Sequence, residues 1–93
     1  MTSRSPTLNP LEKRRSSIRP EARALVRLLA EQIDAGVRLR LVRDALGLTQ
    51  NEVAEITGVT QADISRIESG QVSPTVDRLS RMLRRLHEWA EDS

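Results

Sequence analysis

Two helix-start signals eleven residues apart constrain this chain more than any other feature. Thr49-Gln50-Asn51-Glu52 and Thr60-Gln61-Ala62-Asp63 each set a threonine three residues ahead of a carboxylate, the pattern of a capped helix N-terminus. Starts this close leave the first helix only about two turns, and helices that short are marginal in water. Neighbouring elements must therefore hold both at a fixed angle. Gly58 falls between them, where a tight turn needs a positive φ. Ala54 is small where a second helix would cross closely. Val53, Val59, Ile64 and Ile67 are the apolar positions that would bind the two helices to each other and to the core. A helix-turn-helix over residues 50–69 meets all these conditions.

The flanking segments read as further helices. Pro20 followed by Glu21 marks a start, and Ala22, Leu25, Leu29 and Ile33 recur at helical spacing. Gly36 interrupts. Val37, Leu39, Val42 and Leu46 continue an apolar stripe that Gly47 closes as a left-handed cap. Two helices broken near Gly36 and one long helix carrying the glycine both fit. On the far side, Ser73 as cap and Pro74 at the first helical position predict a last helix. Its stripe is Val76, Leu79, Met82, Leu83, Leu86 and Trp89. No segment alternates with period two, so the fold class is all-α. Residues 1–19 hold two prolines, six Ser/Thr and five basic side chains, and read as a disordered basic arm. Residues 20–93 are then the folded domain.

Composition narrows the function. The chain has 93 residues, 38% apolar and 30% charged, the size and balance of one small globular domain. It has no cysteine and a single histidine, His87, which removes disulfides, thiol catalysis and cysteine or histidine metal cages. No residue cluster supplies a nucleophile, a base and an orienting group, so no enzyme activity, cofactor or small-molecule ligand is expected. No apolar run reaches membrane-spanning length, and the opening lacks the apolar stretch of a secretory leader. A cytoplasmic location is the expectation.

Of fifteen basic residues fourteen are arginine, Lys13 being the exception. Arginine's planar fork suits phosphates and guanine edges. Residues 1–47 carry net +5 and residues 48–93 net −3. An acidic second half is unexpected in a nucleic-acid binder. Caps and structural pairs at Glu52, Glu55, Asp63, Glu68 and Asp77 account for most of it. Arg40, Arg66, Arg78 and Arg81, with Lys13, Arg14, Arg15 and Arg19 of the arm, are left to meet phosphates.

The stretch from Leu39 to Leu86 resembles the Cro/C1-type (Xre-like) helix-turn-helix family of transcriptional regulators. The residues that carry the likeness are Leu-Gly-Leu-Thr-Gln at 46–50, Val-Ala-Glu at 53–55, Gly-Val-Thr-Gln at 58–61, Ile-Ser-Arg-Ile-Glu-Ser-Gly at 64–70 and Ser-Pro-Thr at 73–75. The resemblance implies a compact bundle of about five helices of the lambda-repressor-like type, with an additional N-terminal helix. It places the helix of residues 61–69 in the DNA major groove. Gln61 would read a base edge, adenine being its natural partner. Gln50, at the start of the preceding helix, would hold a phosphate and support Gln61. Ala62 is small enough to meet a thymine methyl. Ser65 and Arg66 would reach bases or phosphates one turn on, and Thr60 would both cap and touch a phosphate. Asp63 is expected to cap rather than face DNA, with a cytosine contact as the alternative. Glu68 is expected to pair with Arg43 as a structural acid.

These assignments lead to a sequence-specific regulator of double-stranded DNA, expected to repress and to bind as a homodimer. Leu83, Leu86 and Trp89 are candidates for either the dimer contact or the monomer core. An antitoxin that binds a toxin protein and represses its own operon is the second reading, with the segment 1–37 as a toxin-binding or dimerisation element. An adaptor without DNA contact is a third, and the intact Gln50/Gln61 pair speaks against it.

Overall fold

The structure, a computed structural model, describes residues 9–29 and 34–92, the side chains of 27–29 excepted. Among the described residues there are six helices and no strand. They are α1 (Pro10–Ser16), α2 (Pro20–Leu29), α3 (Ala35–Leu46), α4 (Gln50–Thr57), α5 (Gln61–Glu68) and α6 (Val76–Glu91).

The core forms where the apolar stripes of α2, α3, α4, α5 and α6 converge. Leu39, Val42, Val53, Ile64, Ile67 and Leu86 are completely buried, joined by Val26, Leu46, Leu48, Met82 and Ala90. The short helices survive because each buries its apolar face on neighbours: α5 lies on α3 and α4, and α4 lies on α6. Gly47 and Gly58 close α3 and α4 in the left-handed conformation, at φ 71° and 77°, as the sequence led us to expect.

Of the two readings, two helices hold, and α3 starts at a cap on Asp34, two residues ahead of Gly36. Asp34 is extended, and its carboxylate accepts from the amides of Gly36 and Val37, capping α3. Gly36 lies inside α3 for a different reason. A Cβ there would collide with the carbonyl oxygen of Ile67, so the glycine is what lets α3 and α5 approach. Val37 and Leu25, read as stripe residues, are exposed, and Val26 takes the buried place on α2. The side chains of Leu28 and Leu29, and Ile33, lie outside the described residues.

Two further expectations need correcting. Residues 10–16 are not part of a disordered arm. Asn9 and Glu12 form a reciprocal capping box, Pro10 sits at the first helical position, and Leu11 and Ile18 pack against the core. Residues 1–8 lie outside the described residues. At the other end, Thr75 rather than Ser73 caps α6, its hydroxyl accepting from the Arg78 amide, and Pro74 precedes the cap. Val76 is then left at the exposed tip of the helix, 83% accessible, instead of in the core.

Candidate nucleic-acid interface

Both predicted caps of the helix-turn-helix form. The Thr49 hydroxyl accepts from the Glu52 amide at 3.1 Å, and Glu52 Oε1 accepts from the Thr49 amide at 2.8 Å. The Thr60 hydroxyl accepts from the Asp63 amide at 3.2 Å. The α4 and α5 N-termini thus begin at fixed places on the surface, and their first residues, Gln50 and Gln61, meet.

A polar relay sets the direction of that meeting. Arg43 of α3 donates from Nε and Nη2 to the two oxygens of Glu68, at 2.8 and 3.0 Å. Its Nη1 donates to the Leu48 carbonyl at 3.0 Å. The pair is shielded, with side chains 17% and 5% accessible, and the hydrogen bond to Glu68 leads the causes that raise the Arg43 pKa above its ordinary value, outweighing burial. The expected structural pair is therefore present. Glu68 Oε1 also accepts from Gln50 Nε2 at 3.1 Å. An ionised carboxylate only accepts, so Gln50 must turn its amino group inward and its oxygen outward. That oxygen accepts from Gln61 Nε2 at 2.8 Å. Gln61 consequently keeps its own oxygen and one amide hydrogen for a partner outside the protein. This is the donor–acceptor couple that matches adenine N6 and N7.

Around Gln61 the surface is small and polar. Ala62, Thr60 and Arg66 are exposed and Ser65 is half-buried. Thr60 spends its hydroxyl oxygen on the cap, while its hydroxyl hydrogen stays available. Asp63 departs from expectation. Its amide is capped by Thr60, but its carboxylate does not cap: it accepts from Arg66 Nη1 at 3.0 Å and from Arg78 Nη2 at 3.4 Å. The reason is reach, since Arg66 stands one turn along α5 and Arg78 stands in the first turn of α6.

The basic residues of the expected arm divide. Arg14 Nε pairs with Glu52 at 3.3 Å, beside the N-terminus of α4. Arg15 sits 5.5 Å above the Trp89 ring and 3.9 Å from Asp92, closing α1 onto α6. Lys13 and Arg19 are exposed. Of the three dimer candidates, Leu86 is completely buried and belongs to the monomer core, and Trp89 lies under Arg15. Leu83 remains half-buried on a groove of about 430 Å³ between α2, α3 and α6. His87 stands 4.0 Å from Glu91 on the surface. Among the described residues no three His, Cys, Asp or Glu side chains converge as a metal site. No described helix is long and apolar enough to cross a membrane.

Two adjoining capped helices with paired glutamines at their N-termini define a helix-turn-helix of the DNA-binding class. The chain belongs to the Cro/C1-type helix-turn-helix family, whose profile matches residues 39–88. It is 39% identical over 54 residues to the HTH-type transcriptional regulator PuuR of Escherichia coli K12, a match covering 58% of this chain and 29% of that protein. The PuuR of Shigella flexneri matches to the same degree. An uncharacterized HTH-type transcriptional regulator of Methanothermobacter thermautotrophicus is 44% identical over 52 residues, 53% of this chain and 75% of that one. The chain thus spans under a third of the length of PuuR. No solved structure gives a significant match.

Proposed function

We propose that this chain is a sequence-specific regulator that binds double-stranded DNA as a homodimer and represses transcription. The α5 helix lies in the major groove, with Gln61 as its principal base reader. The observation that carries this is the relay from Arg43 through Glu68 and Gln50, which holds Gln61 with a free oxygen and a free amide hydrogen at the surface. Gln50 and the α4 amides hold one phosphate, with Thr60 beside them. Ala62 faces a thymine methyl, and Ser65 and Arg66 reach the flanking base or phosphate. Lys13, Arg14 and Arg19, outside the family-matched segment, add positive charge near the start of α4. The names of the relatives support the regulatory role. A cytoplasmic, nucleoid-associated location goes with it.

Selection from a random duplex library tests this directly. The expected product is a near-palindrome whose half-sites lie about 34 Å apart, with adenine fixed at one position of each half. If no sequence is enriched even at low salt, the assignment of Gln61 as a base reader is wrong.

A further inference from the structure

We propose that Asp63 is a specificity-determining residue, which withholds Arg66 and Arg78 from DNA phosphates unless its own carboxylate is met by a cytosine amino group. The inference rests on the DNA-binding function proposed above. Asp63 stands two residues after Gln61 on the helix assigned to the major groove. Its carboxylate bridges Arg66 of the same helix and Arg78 of α6, at 3.0 and 3.4 Å. A bare carboxylate on that face repels phosphate, and its one favourable base-edge partner is an amino donor such as cytosine N4.

Accessibility separates this cluster from the Arg43–Glu68 pair. Arg43–Glu68 is shielded and bidentate, so breaking it strands a charge, and it stays closed. The side chains of Asp63, Arg66 and Arg78 are 37%, 53% and 39% accessible. Ion pairs this open are weak, so whether a phosphate takes the arginines turns on what the released carboxylate meets. The exchange has two outcomes. Where a cytosine amino group receives Asp63, both arginines are released to the backbone. Elsewhere Asp63 keeps them, and both positive charges are lost to the phosphate backbone. Binding to arbitrary DNA is mostly phosphate contact, so it loses most.

Asp63→Asn removes the charge and leaves the Thr60 cap on the residue 63 amide. Binding is measured against a random-sequence duplex and against the duplex selected by the wild type, across a salt series. The variant should bind random DNA about tenfold more tightly at 0.1 M salt, with a log–log salt slope steeper by about 1–2. Its preference for the selected duplex should fall several-fold. Asp63→Glu keeps the charge and should retain the weak random binding of the wild type, and thermal melting of both variants reports their folding. Unchanged or weaker random binding by Asp63→Asn, or an equal gain on both duplexes, overturns the proposal. If wild type and variant bind neither duplex at low salt, the DNA-binding function fails and takes this inference with it.

Discussion

Gln61 matters for the two hydrogen-bonding groups it leaves unused, and the polarity of those groups is set three residues away in the relay. Gln61→Ala removes both while leaving the buried core untouched. Affinity for the selected duplex should fall by about 1–3 kcal/mol, a factor of roughly 5 to 150, with affinity for random DNA and the urea midpoint nearly unchanged. Titration of a labelled duplex checks the first, and chemical denaturation the second. Gly36 is the opposite case, a residue with no functional group whose space is essential. Alanine gains roughly 1 kcal/mol as a helix former. Its methyl, however, runs into the Ile67 carbonyl, a backbone atom that cannot yield without moving α5. Gly36→Ala should destabilise the fold by about 1–3 kcal/mol, read from the urea midpoint. Glycine in a helix start is visible in the sequence as an interruption; that it serves a close crossing is visible only once α5 is in place.

The Arg43–Glu68 pair acts between elements, tying α3 to the end of α5 and, through Gln50, to the start of α4. Removing one partner strands the other in a shielded site. Glu68→Ala should therefore lower stability by about 3 kcal/mol and also weaken operator binding, because Gln50 loses the acceptor that orients it. Pairing Glu68→Leu with Arg43→Met should restore much of the stability without restoring DNA affinity. Recovery of both together would show that the relay does not orient Gln50. Helix α1 was hidden from pattern reading because a seven-residue helix with no buried residue looks like a charged tail. Its Asn9-Pro10-Leu11-Glu12 start carried the same cap grammar as Thr49 and Thr60, and that signal was there to be read. Its docking reports on itself through Trp89, the chain's one tryptophan. Leu11→Asp should detach α1, shift Trp89 emission to the red and increase its quenching by iodide, with a stability loss of about 1 kcal/mol. Unchanged emission would mean that Arg15 and Leu11 do not cover the indole.

At the scale of the molecule, the small net charge of +2 hides a useful division. The acidic second half is spent internally: Glu52 on a cap, Glu68 on Arg43, Asp63 on two arginines, and Asp77 in the first turn of α6, where it favours the helix dipole. With Arg66 and Arg78 both held by Asp63, one copy alone should bind weakly. Doubling the cations in a dimer steepens the salt dependence by roughly 0.9 for each added phosphate contact. Sedimentation of the protein with a duplex carrying both half-sites should give two chains per duplex. A single chain bound at saturation would remove the dimer from the proposal.

Local grammar determined much of this protein. Caps at Thr49 and Thr60, left-handed glycines at 47 and 58 and the stripe of Leu39, Val42, Leu46, Ile64 and Ile67 depend on neighbours within one or two turns. The helix-turn-helix and its glutamines were therefore legible along the chain. The Arg43–Glu68 pair, 25 residues apart, was legible through the family pattern alone. Other features turned on atoms that meet only after folding. Val26 or Leu25 in the core, Thr75 over Ser73 as cap, the Ile67 carbonyl against Gly36, and Arg78 reaching Asp63 across 15 residues were settled by packing. Capping and periodicity are short-range, and a sequence displays them directly. Which of two adjacent apolar side chains is buried, and which charge a carboxylate finds, depends on the angle at which helices cross, and that angle exists only in three dimensions.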